Sequence, residues 1–104
     1  MPYAKKVVLH CPFGASLKLD ALVEDFIRDG VRFVAVVGSE CERIEELIDW
    51  SVIGPDGKRD YDLLTSSHPE ESVEEVIEFA KSLTGEFAGH EIQVVTLAPD
   101  NIDS

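Results

Sequence analysis

VRFVAVVG, residues 31–38, is the stretch on which the fold turns. Apart from Arg32 and the closing glycine, every residue in it is apolar. A strand with one wet face alternates apolar and polar residues, so an unbroken run reads as a strand covered on both sides. Such strands lie inside α/β sheets, with helices above and below. Immediately upstream, Leu19, Leu22, Val23, Phe26 and Ile27 follow the i, i+3, i+4, i+7, i+8 spacing of a one-faced helix. Ser16 is its expected N-cap and Gly30 its stop. Ahead of that helix, Val7-Val8-Leu9-His10-Cys11 forms a first strand, ended by Pro12 and Gly14.

Downstream, Ser39 with Glu42 reads as an S-x-x-E capping box opening a helix through Ile44, Leu47 and Ile48 towards Trp50. Gly54-Pro55-Asp56-Gly57 is a turn, and residues 51–60 have room for a small hairpin. Residues 61–66, YDLLTS, give a third strand. A second capping box, Ser72 with Glu75, starts a helix whose apolar face is Val73, Val76, Ile77, Ala80 and Leu83, ended by Gly85. Residues 92–97, IQVVTL, form the last strand.

The pattern is therefore α/β: a βαβαβαβ three-layer sandwich with a four-stranded, mostly parallel sheet and three helices, in one domain over residues 1–104. The second strand is the most apolar and belongs inside. The third carries Asp62 and the fourth Gln93 and Thr96, which suits edges. This favours the strand order 3-2-1-4 over the alternative 2-1-3-4.

Charge narrows the function. Five basic and four acidic residues precede Glu40, whereas four basic and 17 acidic residues follow from Glu40 onward, within a net charge of −12. Such a field repels phosphate backbones and draws in basic proteins, so the expected partner is a basic protein and not nucleic acid. No apolar run approaches the roughly 20 residues of a membrane span. The N-terminal residues carry no signal-peptide pattern, and two cysteines do not make a disulfide scaffold. The expected setting is cytoplasmic, away from membranes, with sheet edges that allow a homodimer.

In open α/β sheets, ligands bind where the strands end. Those ends read His10-Cys11-Pro12-Phe13-Gly14, Gly38-Ser39-Glu40-Cys41, Thr65-Ser66-Ser67-His68 and Leu97-Ala98-Pro99-Asp100. They hold no G-x-G-x-x-G, Walker lysine or C-x-x-C, and no cofactor or metal is expected. Cys11, Cys41 and His68 fall near one predicted edge. Cys11 and His68 are thus the catalytic candidates, as a thiolate activated by imidazole, with Cys41 joining them in an open zinc site as the variant. Ser39, Ser66 and Ser67 would be polar contacts. The competing reading makes both cysteines small buried hydrophobes and His68 a loop residue. His10 is expected in a sheet face, hydrogen-bonded, and His90 has no assigned role.

Two acidic stripes form the stronger pattern. Glu42, Glu45, Glu46 and Asp49 sit at i, i+3, i+4, i+7 on the second helix, and Glu71, Glu74, Glu75 and Glu78 repeat the spacing around the third. Opposite the apolar faces, both are expected to point to solvent. Like charges at these spacings cost about 0.2–0.5 kcal/mol per pair, which a basic partner would relieve. Phe13, Trp50, Tyr61 and Phe87 are candidate exposed anchors.

The run VRFVAVVG into Ser39-Glu40-Cys41-Glu42, followed by YDLLTSSHPEESVEEVIEFA, resembles small uncharacterised bacterial α/β proteins of a domain-of-unknown-function kind. The resemblance implies this fold and a bacterial cytoplasmic setting, and carries no activity and no site residues. From the residues themselves, a non-enzymatic interaction module using the two stripes is expected ahead of a small enzyme or ligand-binding domain.

Overall fold

Seven elements alternate along the chain: β1 (Lys6–Cys11), α1 (Leu19–Asp29), β2 (Phe33–Gly38), α2 (Cys41–Ile53), β3 (Leu64–His68), α3 (Val73–Lys81) and β4 (Ile92–Thr96). The computed structural model describes residues 3–54, 57, 61–83, 89 and 91–97. The four strands form one sheet in the order β3-β2-β1-β4, with every pairing parallel. Lys6 stands opposite Phe33 on one side and Ile92 on the other, and Phe33 stands opposite Leu64. The expected strand order is the observed one.

β2 is covered on both faces, as its composition demands. Val34 and Val36 join Val7, Leu9, Cys11, Val23, Phe26, Ile44 and Ile48 in the core beneath α1 and α2. Phe33, Ala35 and Val37 face the other way, with Val8, Val76 and Ala80 beneath α3. Each fully buried Val, Ile or Phe contributes about 1.5–3 kcal/mol. The sheet thus separates two cores, and anything on α2 is divided from anything on α3 by its thickness. Lys6 is buried on the α3 side, where its Nζ donates to the Ala80 carbonyl at 2.8 Å. A cation is favoured there, at the negative end of the helix dipole.

Helix ends show where local patterns hold. Gly30 takes φ 81° and donates to the Ile27 carbonyl, while Val31 donates to Phe26, the paired bonds of a Schellman stop. The Ser72–Glu75 capping box forms in both directions, at 3.1 and 2.8 Å. The other two caps differ from expectation. Ser16 lies two residues ahead of the N-cap position, which Lys18 occupies, and its hydroxyl accepts from the Lys18 N–H at 3.1 Å. The Ser39–Glu42 box does not form. The Ser39 N–H is drawn to the Cys11 carbonyl at 2.9 Å, and α2 starts from Glu40, whose carbonyl accepts from Ile44. Glu40 holds φ 58°, the non-glycine left-handed residue of the described chain.

Helix α2 runs on through Ser51 to Ile53, so the start of the expected hairpin is helical. The turn is present in the Gly57 N–H to Gly54 carbonyl bond, 3.1 Å. The rest of that hairpin lies outside the described residues, as do Gly85, Phe87, His90 and residues 98–100. β3 starts three residues later than expected and includes Ser67 and His68. Tyr61 and Leu63 pack against the α1–α2 core as a lead-in, and the ladder begins where the Leu64 N–H reaches the Arg32 carbonyl. An edge strand tolerates the polar residues that follow.

Candidate functional site

Carboxylates approach the edge strand β3 from both faces of the sheet. Thr65 points to the α2 side, where its single hydroxyl lies 3.1 Å from Glu45 Oε2 and 2.9 Å from Asp49 Oδ1. Two residues at i, i+4 on one helix thus reach β3: Asp49 stays exposed, as expected, while Glu45 is half-buried where solvent was expected. The reason is position: α2 lies over β2 and β3, so the flank of its apolar face meets a short polar side chain at the sheet edge. One hydroxyl proton cannot be donated to two carboxylates at once, so the pair keeps acceptor capacity to spare.

On the other face, Ser66 and His68, two apart on the strand, stand together. The Ser66 hydroxyl is 2.8 Å from His68 Nε2, and His68 Nδ1 is 2.6 Å from Glu71 Oε1. The imidazole is 7 % exposed and packs on the Phe79 ring, centroids 4.9 Å apart. With its proton on Nδ1, the neutral ring donates to Glu71 and accepts from Ser66. Hydroxyl, imidazole and carboxylate stand in the order that activates a nucleophile. The same contacts also anchor the corner between β3 and α3.

The cysteines do not join them. Cys11 and Cys41 are buried, unpaired, and on the α1–α2 side of the sheet, whereas His68 is on the α3 side. Register explains it: Cys11 is opposite Gly38 at the end of β2, while His68 is opposite Val37, which faces α3. Burial, reinforced by the neighbouring Cys41 sulfur, pushes the Cys11 thiol up to about 12. An activated thiolate would be shifted the other way. Among the described residues, no group of three or more His, Cys, Asp and Glu side chains is arranged to hold a metal ion. His10 is half-buried in β1, and no described hydrogen bond reaches its ring.

The eight stripe carboxylates do not form one surface, because α2 and α3 flank opposite faces. Glu75 closes the capping box, Glu78 pairs with Lys81 at 3.3 Å, and Glu71 holds His68. Glu42, Glu46 and Glu74 are exposed. Of the aromatic anchors, Phe13 and Trp50 are exposed. Tyr61 is not: its hydroxyl donates to the Val31 carbonyl and its ring lies under the Arg32 guanidinium. Trp50 lines a groove of about 390 Å³ between α1 and α2, with Asp20, Glu24, Leu47, Ser51 and Gly54. There the Ser51 hydroxyl donates to Asp20 at 2.8 Å.

Ser66, expected as a polar contact beside His68, is at its ring, whereas Thr65 as the meeting point of Glu45 and Asp49 and Glu71 as a partner of His68 were not expected. The signals were present as S-x-H at strand period and H-x-x-E ahead of a cap, but they needed the correct extent of β3.

Among the described residues, no helix is long and apolar enough to cross a membrane. No curated protein and no solved structure matches the chain. The family model described as Domain of unknown function (DUF7684) matches residues 3–101, so the chain belongs to that family, whose function is not assigned.

Proposed function

We propose that the chain is a non-enzymatic interaction module that binds a basic partner protein, in a bacterial cytoplasmic setting. The observation that carries this reading is the convergence of Glu45, Asp49 and Glu71 on β3 from both faces of the sheet. On the α2 face the folded protein brings two like charges, Glu45 and Asp49, to one hydroxyl, and on the opposite face it sets Glu71 beside the His68 imidazole. A row of lysine or arginine side chains would relieve their repulsion, and the net charge of −12 would steer such a partner in. The two free, buried cysteines suit a reducing compartment.

The test uses a labelled ten-residue lysine-rich peptide and fluorescence anisotropy at low salt. Neutral isosteres keep the local hydrogen-bonding shape, so Glu45→Gln, Asp49→Asn and Glu71→Gln together remove charge with little change of fold. Exposed charges are each worth about 0.2–1 kcal/mol, so the triple variant should bind roughly tenfold more weakly. Physiological salt should weaken the wild type similarly. Asp25→Asn, at a carboxylate paired with Arg28 on α1, should leave affinity unchanged. Equal affinity for triple variant and wild type would remove the β3 edge from the account.

A second reading has one observation in its favour, the Ser66–His68–Glu71 line, which would serve acyl transfer with Ser66 as nucleophile and His68 as base. A serine-directed fluorophosphonate that adds its mass at Ser66, and not in Ser66→Ala, would favour it. The placement of Cys11 and His68 on opposite faces of the sheet gives no support to the version built on that pair.

A further inference from the structure

We infer that the basic partner binds by strand addition: an extended lysine- or arginine-rich segment pairs with the outer edge of β3 as a fifth strand. This rests on the interaction reading above and specifies its geometry.

β3 ends the sheet, and among the described residues it pairs only with β2. The Leu64 N–H is spent on the Arg32 carbonyl at 3.0 Å. In a parallel ladder the main-chain groups alternate sides from residue to residue. Leu64, Ser66 and His68 therefore bond inward to β2, and Thr65 and Ser67 present their N–H and C=O groups outward. Unpaired edge groups of this kind template another strand unless something prevents it.

What stands beside this edge selects the strand. A fifth strand would send successive side chains to alternate faces, at period two. On the α2 face they would meet Glu45 and Asp49, and on the α3 face Glu71. Basic residues therefore find carboxylates on either side. The edge's own side chains at Thr65, Ser66 and Ser67 are short, which leaves space for long lysine or arginine stems to cross them. Leu64, 50 % exposed, offers an apolar contact where the strand begins. A second copy of this chain would bring carboxylates against carboxylates, so the charge that attracts a basic strand opposes self-pairing at this edge. Main-chain bonds would provide affinity and the flanking charges selectivity, the division of labour general to β-augmentation.

Amide hydrogen exchange, read residue by residue with a ten-residue peptide alternating lysine and valine, tests the geometry. At saturating peptide the Thr65 and Ser67 amides should slow at least about tenfold, one hydrogen bond's worth, while Ser66 and His68, already bonded to β2, change little. A peptide of the same sequence N-methylated at alternate residues keeps its charge, loses edge pairing, and should bind at least about tenfold more weakly. If both peptides bind alike and Thr65 and Ser67 stay unprotected, strand addition is wrong; a continuing loss with the triple neutral variant would then leave the interaction reading standing. Failure of the unmethylated peptide to bind at low salt would overturn both. Protection of Thr65 and Ser67 that grows with protein concentration and no peptide would instead assign the edge to a second copy and reject a basic strand there.

Discussion

Gly38→Ala is expected to lower stability by at least about 3 kcal/mol, read as a shift in the urea midpoint by circular dichroism. Gly38 closes β2 with φ 118°, a region that side chains with a Cβ rarely adopt. A methyl placed there would lie 2.7 Å from the Cys11 carbonyl oxygen and 2.9 Å from its carbon. Both are backbone atoms of a central strand, and the oxygen also accepts from the Ser39 N–H, so neither can yield cheaply. Strain and overlap add here, and together they remove a large part of the 5–15 kcal/mol that holds a typical domain. Gly89→Ala is the matched control, because φ is 78° there and nothing lies within 4 Å of the added carbon. It should cost only about 1–2 kcal/mol of backbone strain. Equal effects at the two positions would mean that β1 and β2 do not meet at their ends as described.

Phe26→Ala should cost about 3–5 kcal/mol. Phe26 is fully buried on α1, in the core that α1 and α2 form against the sheet, and the edge of one ring meets the face of the other where it packs with Tyr3, centroids 5.0 Å apart. Truncation leaves a cavity bounded by strands whose spacing is set by ladder hydrogen bonds, so collapse around it is limited. The Schellman stop survives, because the Val31 N–H bonds the main-chain carbonyl of residue 26 and not the ring. The loss should therefore appear in global stability, with helix content of the folded state unchanged. Phe13→Ala, at a ring 64 % exposed, should stay within about 0.5 kcal/mol of the wild type. A small loss at Phe26 would contradict the assignment of α1 to this core.

The strand order was readable because one stretch, residues 31–38, could sit only in the interior of a sheet. The apolar periodicities of α1 and α3 translated directly into buried faces at Val23, Phe26, Val76 and Ala80. Caps were less legible. Ser72–Glu75 formed and Ser39–Glu42 did not, since Ser39 directly follows the end of β2 and its own amide is claimed by the Cys11 carbonyl of β1. The site was legible in kind and not in geometry. Glu45, Asp49, Glu71 and His68 stood out as residue types and Ser66 as a polar contact, but helical spacing alone says nothing of the strand beside a helix, so Thr65 went unseen as the partner of Glu45 and Asp49. Cys11 and His68 looked adjacent because both lie near strand ends. Which face each occupies depends on strand register, and one residue of register moves a side chain through the sheet.

The most direct test of the acidic β3 edge as a binding surface is a titration of the protein with the alternating lysine–valine peptide at low salt, following backbone amide shifts by NMR. The largest changes should trace Thr65 to His68, with smaller ones at Glu45, Asp49 and Glu71, and raising the salt should reverse them. Shifts centred on Trp50, Asp20 and Glu24 would place the partner in the groove between α1 and α2 instead. That result, or a spectrum the peptide leaves unchanged, would contradict the claim.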